Sequence, residues 1–243
     1  MKKAGAGTQK NRWKKRYLVL LFLLAVMLSA LYYFVARTAG GCIVYPETEI
    51  PLPENTFFFF QKDAEWGNDH LGTAKDTMAS SGCLVSALAA GLDMQAARQG
   101  IPFSMTAGEL NHVFSEKNVY TEHGAVIWGQ VGQAVSGAEC QVPDEVSSGL
   151  LDQWLKMGYF PVAKVRVKGT GAYHWVLIIG AEGGRYVCMD PLKERETPVS
   201  LDEFKNRIYA IRAVHFREYP GNFEGGNENY DKKGSASRCH DGI

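Results

Sequence analysis

The chain has 243 residues, 46% of them hydrophobic, with 26 Lys plus Arg against 26 Asp plus Glu, enough for one domain of ordinary size with appendages. Residues 1–37 hold eight of the basic side chains and no acid, which leaves the remainder at about −8, an acidic body that argues against nucleic-acid binding. The five cysteines (Cys42, Cys83, Cys140, Cys188, Cys239) show no CxxC or Cys/His spacing, so neither a zinc site nor a dense disulfide framework is indicated.

Residues 1–16 carry seven Lys or Arg and read as a basic cytoplasmic segment. Residues 17–36, from Tyr17 to Ala36, contain no charge. At about 1.5 Å of rise each they cross a ~30 Å hydrocarbon core, so a transmembrane helix is expected there. The basic flank predicts that the N-terminus stays in the cytoplasm and that everything after it is exported. An uncleaved anchor is favoured over a signal peptide, because Tyr32, Tyr33 and Phe34 are bulky where small residues would mark cleavage. Residues 37–55, punctuated by Gly40, Gly41, Pro46, Pro51 and Pro53, read as a stalk.

A single domain is expected over residues 56–216. The run Phe57-Phe58-Phe59-Phe60 reads as a buried strand ending at Gln61. Between Thr77 and Ser86, small turn residues give way to an apolar helical pattern of Leu84, Val85, Leu88 and Leu92, and Ser80, Ser81 and Gly82 suit the capping positions. A helix is therefore expected to open at Cys83. Thr106 and Glu109 have capping-box spacing before Leu110, Val113 and Phe114. Four glycines break any period over residues 118–138, where a loop carrying Trp128 and a short helix near 130–135 are expected. Leu150, Leu151, Trp154 and Leu155 predict an amphipathic helix over 147–157.

The period then changes. Residues 159–167, 173–180 and 185–189 read as strands separated by Gly169-Thr170-Gly171 and Gly183-Gly184. Ser200 and Glu203 repeat the capping-box spacing and predict a short helix to Arg207, and 209–216 closes the sheet. Helices first and an antiparallel sheet second is an α+β pattern. Residues 217–243 are Gly-rich, polar and without period, and read as a disordered tail.

A thiol at a helix start faces unpaired N–H groups and a partial positive charge, both of which stabilise a thiolate. A cysteine nucleophile also needs a base and a group to orient that base. His174 opens one strand and Asp190 follows the next. Closing the intervening hairpin pairs residues whose numbers sum to roughly 365, which brings Asp190 or Pro191 opposite His174. Taken singly, Cys83 reads as a small core residue, His174 as a structural histidine and Asp190 as a turn residue; their order and setting are what carry a chemical reading.

The ordered pieces Gln61-Lys62-Asp63, Ser81-Gly82-Cys83-Leu84-Val85-Ser86, Gly158-Tyr159-Phe160-Pro161-Val162, His174 to Gly180 and Asp190-Pro191 resemble those of papain-like cysteine peptidases related to the bacteriocin-processing, double-glycine leader peptidases. Gly82-Cys83-Leu84 is closer to the stand-alone branch of that family than to the exporter-linked members. The resemblance covers residues 56–216 and implies a papain-like fold, which the expected transmembrane helix precedes. It implies Cys83 as nucleophile, His174 as general base and acid, Asp190 as its orienting group and Gln61 as an oxyanion-hole donor. The implied activity is hydrolysis of a peptide or peptide-like amide bond, with no cofactor or metal, by a single-pass protein at a bacterial cell membrane. The alternative is a binding or scaffold domain that keeps the fold without turnover. Trp66, Trp128 and Trp175 are candidates for a substrate cleft, although large aromatics more often serve the core. Cys83 is expected to stay outside any disulfide.

Overall fold

The computed structural model describes residues 6–217. The chain divides into two compact units between Ala39 and Gly40. The first is a single helix, α1 (Ala6–Thr38). Its stretch Trp13–Ala36 is long and apolar enough to cross a membrane. From Lys10 to Arg16 the helix runs through part of the expected basic segment, since Lys and Arg are good helix formers. The expected tail, apart from Arg217, lies outside the described residues.

The second unit begins with β1 (Cys42–Ile43), α2 (Met78–Ser81), α3 (Cys83–Gln99), α4 (Ala107–Glu116), α5 (Trp128–Ala134), β2 (Ala138–Gln141) and α6 (Ser148–Lys156). The strands β3 (Val162–Arg166), β4 (Tyr173–Glu182), β5 (Arg185–Met189), β6 (Val199–Ser200), β7 (Arg207–Ile208) and β8 (Ala210–Phe216) follow. Six of the strands form a sheet in the order β2-β8-β3-β4-β5-β6, with every neighbouring pair antiparallel. The expected α+β class is the class observed.

α3 is the central helix and lies against β4 and β8. Twelve consecutive residues, Val85 to Ala96, are buried, so it is apolar almost all round, as a helix enclosed by the domain must be. Gly100, at φ 65°, ends it in the left-handed conformation that glycine adopts without steric cost. α4 opens with the expected capping box: Glu109 N–H donates to Thr106 Oγ1 (3.2 Å) and Thr106 N–H to Glu109 Oε2 (2.8 Å). The box expected at Ser200 gives only a 3₁₀ turn over Leu201–Phe204, because Lys205 at φ 63° reverses the chain.

Residues 42–50 are stitched to the domain rather than standing off from it as a stalk would. Cys42 pairs with Ile208, Ile50 bridges Ala181, and the Glu49 carboxylate accepts the N–H groups of Gly183 and Gly184 at 3.0 and 3.1 Å. Asp152 on α6 accepts Glu47 N–H (2.9 Å) and the Tyr186 hydroxyl (2.6 Å). Punctuation by Gly and Pro marks where a chain turns, and here the turns serve packing. Phe57 to Phe60 forms no strand; the four rings are half-buried, and the Phe60 carbonyl accepts Trp66 Nε1–H at 2.8 Å. The expected strand over 159–167 shortens to β3 because Val167–Gly169 coils into a 3₁₀ turn with Lys168 at φ 53°.

Candidate active site

Cys83 is the first residue of α3, and Gly82 precedes it at φ −78° and ψ 4°. A side chain at Gly82 could not be accommodated without movement: an added Cβ would fall 2.5 Å from the Met78 carbonyl oxygen and 2.7 Å from its sulfur. Glycine here lets α2 run almost directly into α3, which leaves the thiol where first-turn N–H groups converge.

His174 lies near the start of β4 and is 2% exposed; Asp190, just past β5, is 6% exposed. The hairpin that brings them together is tighter than expected. β4 continues to Glu182, and a two-residue turn at Gly183 (φ 59°) and Gly184 (φ 70°) pairs Glu182 with Arg185. Pairs nearest the turn sum to 367, and an irregularity between Ile178 and Gly180 shifts the sum to 366 from Ile178↔Cys188 onward. Carried one step further, this register sets Asp190 opposite Val176, on the same side of the sheet as His174 and one diagonal away.

His174 Nε2 and Asp190 Oδ1 are 2.6 Å apart. An ionised carboxylate only accepts, so Nε2 carries the proton and Nδ1 is the nitrogen left for the Cys83 thiol, which is near enough to raise the imidazole pKa. Burial pulls the His174 pKa down. The hydrogen bonds to Asp190 and Cys83 and the charges on both outweigh burial and raise it to about 9. For Asp190 burial acts upward, but the hydrogen bond and charge of His174, the Leu192 N–H (2.9 Å) and the Lys193 charge hold it below the ordinary carboxylate value. The site therefore favours the charged imidazolium beside an ionised Asp190.

Gln61 is buried, and it ties the two halves of the site together. Its backbone N–H donates to the Pro191 carbonyl (3.1 Å), and its side-chain Nε2 donates to the Ala79 carbonyl (2.8 Å), four residues before Cys83. The Ala79 oxygen demands a donor, which orients the amide with its NH₂ toward α2. Only one of the two Nε2 hydrogens is used in that bond, and Oε1 is buried with no partner among the described residues. All four expected residues thus belong to one connected neighbourhood.

Of the three free thiols among the described residues, Cys83 is half-exposed; Cys140 and Cys188 are held protonated at neutral pH. Burial pushes Cys140 up to about 11, and complete burial, with Asp190 and Glu203 adding to it, pushes Cys188 higher still. The tryptophans divide. Trp66 is core, edge-on to Phe59 at 6.1 Å, whereas half-buried Trp128 and Trp175 face each other at 6.1 Å. Two contributors escape sequence reading, the Leu192 N–H on Asp190 and the Phe204 ring 6.3 Å from that of His174. An Asp before Pro is the signal that could have flagged the first, since Asp readily accepts from an N–H two residues on.

No family model matches the chain, and no curated protein matches it. Among solved structures it is similar to a crystal structure of a protein from Bacillus anthracis assigned as a C39-like peptidase. That likeness has a TM-score of 0.43 at 14% identity and covers 71% of this chain and all of that one.

Proposed function

We propose that this chain is a cysteine peptidase or amidase of papain-like fold that hydrolyses a peptide-type amide bond through Cys83, His174, Asp190 and Gln61. The observation that carries the reading is the His174 imidazole, hydrogen bonded to Asp190 through Nε2 and held in its charged form by Asp190 and by the Cys83 side chain that opens α3.

The Cys83 thiolate attacks the carbonyl carbon of the substrate and forms a C–S bond while the carbonyl π electrons move onto oxygen. The Cys83 backbone N–H and the Gln61 Nε2–H stabilise that oxyanion. As the tetrahedral intermediate collapses, the C–N bond breaks and His174 Nδ1–H gives its proton to the departing amine. Neutral His174 then takes a proton from water, whose oxygen attacks the acyl carbon; the C–S bond breaks, the acid is released and the thiolate–imidazolium pair returns. Asp190 keeps its hydrogen bond to Nε2 throughout, fixing the ring and stabilising its charge.

α1 supports a membrane-anchored version of this enzyme. The span over residues 17–36 would act as the anchor, with the basic N-terminus cytoplasmic and the catalytic unit outside the cell, facing peptide or peptide-like substrates there. The chemistry requires no cofactor or metal.

The test is site-resolved alkylation of the full chain with iodoacetamide near neutral pH, read by mass spectrometry. Cys83 is expected to react much faster than Cys140 and Cys188, with the preference lost in His174→Ala. Uniform slow labelling of all three would overturn the reading.

A further inference from the structure

Three cations converge on one face of the sheet, and nothing in the proposed reaction uses them. Lys164 pairs with Trp175, Arg166 with Tyr173, and Val162, two positions from Lys164, with Arg212; strand alternation therefore turns all three basic side chains to one side. Lys164 Nζ stands 4.3 Å from the centre of the Tyr173 ring, and the Arg166 guanidinium 3.9 Å from it. Arg166 is also 5.3 Å from the Tyr209 ring, and Arg212 is 5.8 Å from Trp128. Aromatic faces hold these cations in place without neutralising them.

None of the three forms an ion pair with a carboxylate among the described residues. Cys140 and then Asp144 attract Arg212, the carboxylate from beyond ion-pair distance. Lys164 shows the strain of the arrangement: burial, then Arg212, then Arg166 lower its pKa. This happens in a chain that is net acidic beyond residue 37, so the concentration of positive charge is local.

Donors in the same corner are left over. Arg166 Nη1 donates to the Gly171 carbonyl (2.9 Å) and Arg212 Nη1 to the Ile211 carbonyl (2.7 Å), but Arg166 Nε, Arg212 Nε and the Tyr209 hydroxyl are buried with no partner among the described residues. Arg166 as a whole is 8% exposed. Tyr209 and Arg212 line a cavity of about 210 Å³ whose other walls include Gly41, Val142, Pro143 and Asp144. Buried guanidinium and hydroxyl donors beside a polar cavity, backed by two further cations, make a receptor for negative charge.

We infer that this corner binds a small oxyanion, a carboxylate or a phosphate, in the cavity that Arg212 and Tyr209 line, within the positive field of Arg212, Lys164 and Arg166. The site is separate from the Cys83 line. Tyr173 and Trp175 flank His174 in sequence but point to the opposite side of β4, so one strand serves both faces. Binding here does not depend on the peptidase reading and should persist in Cys83→Ser.

The experiment titrates the full chain, held in uncharged detergent, with inorganic phosphate and in a parallel arm with succinate, each against chloride of matched ionic strength. The readouts are the Nε–Hε resonances of the arginines and calorimetry. Saturable shifts at Arg212 in either arm, absent with chloride, are expected, and the responding arm identifies the oxyanion. Arg212→Gln should weaken binding by about tenfold or more, the effect of losing a charged donor. Should that variant fail to fold, Tyr209→Phe changes the same wall without altering charge and, by removing a polar group beside the cavity, should weaken binding by several-fold. A drift equal to that with chloride in both arms, or saturable binding indifferent to Arg212→Gln and Tyr209→Phe, would overturn the inference.

Discussion

His174 and Asp190 are joined by a 2.6 Å hydrogen bond although they are not register partners; the paired register ends at Leu177 and Met189, and one further step in it sets Asp190 opposite Val176, a diagonal away from His174. The diagonal matters chemically. It directs the carboxylate to Nε2 from the side and leaves Nδ1 for the thiol, so the imidazole can hold one acceptor on each nitrogen.

Asp190→Asn should break this arrangement while preserving shape. The amide offers Nε2 no negative charge and can present its NH₂ instead of its oxygen, favouring the wrong tautomer. Alkylation of Cys83 at neutral pH is expected to slow by roughly two to four orders of magnitude, and the His174 ring titration, followed by NMR, should move down from about 9. An unmoved titration would remove Asp190 from its orienting role.

The same pair makes stability depend on pH, with a sign fixed by each shift. His174 has a folded pKa raised from 6.5 to about 9, so its contribution is complete below about 6.5 and disappears as pH rises through about 9. Asp190 is lowered from 3.8, so its contribution is present above that value and is lost as pH falls toward its folded pKa. Both act together between about pH 4 and 6.5. Urea denaturation across pH should show stability falling between pH 6.5 and 9 by on the order of 3 kcal/mol, and His174→Ala should flatten that limb. A limb of equal slope in the variant would place the proton elsewhere.

Much of this site is legible in the sequence because it is local. The change from small residues to an apolar period announces the helix at Cys83, although Ser80 and Ser81 lie in α2 and do not cap α3, and a Gly-Gly turn returns Asp190 toward His174 in a register that can be counted. The count misses by one to two residues, since neither the extension of β4 to Glu182 nor its irregularity at Ile179 has a periodic signature. What cannot be read is nonlocal. The two-residue strands β1, β6 and β7 and the four-residue β2 exist by virtue of distant partners, and residues 42–50 look like a linker until Asp152 and Ala181 are seen to hold them. The convergence of Lys164, Arg166 and Arg212 likewise needs the register of three strands.

Gly82 offers a test of how closely the thiol's position is tied to the backbone. Gly82→Ala drives a methyl against the Met78 carbonyl and sulfur; the backbone oxygen cannot yield as a side-chain end could. A stability loss of about 1–3 kcal/mol is expected, together with a fall in Cys83 alkylation greater than unfolding explains, because α3 must start from a displaced turn. Gly129→Ala in α5, where an added methyl meets nothing within 4 Å, is the control and should be neutral or slightly stabilising. Thermal melts and labelling rates on the two variants separate a steric effect at Cys83 from a general effect of replacing glycine.

Gln61→Ala tests the oxyanion donor. The substitution removes the Nε2 hydrogens and the bond to Ala79, yet it leaves the Gln61 N–H to Pro191 in place, so the segment should remain docked. It also deletes the buried Oε1 that lacks a partner, which offsets part of the lost hydrogen bond and keeps the expected stability change within about 1 kcal/mol. Turnover of a peptide substrate should fall by about two to three orders of magnitude in kcat. Iodoacetamide forms no oxyanion when its CH₂ carbon is attacked, so Cys83 alkylation should be nearly unchanged. The contrast between the two rates is diagnostic, since a variant that had merely loosened α2 and α3 would lose both together.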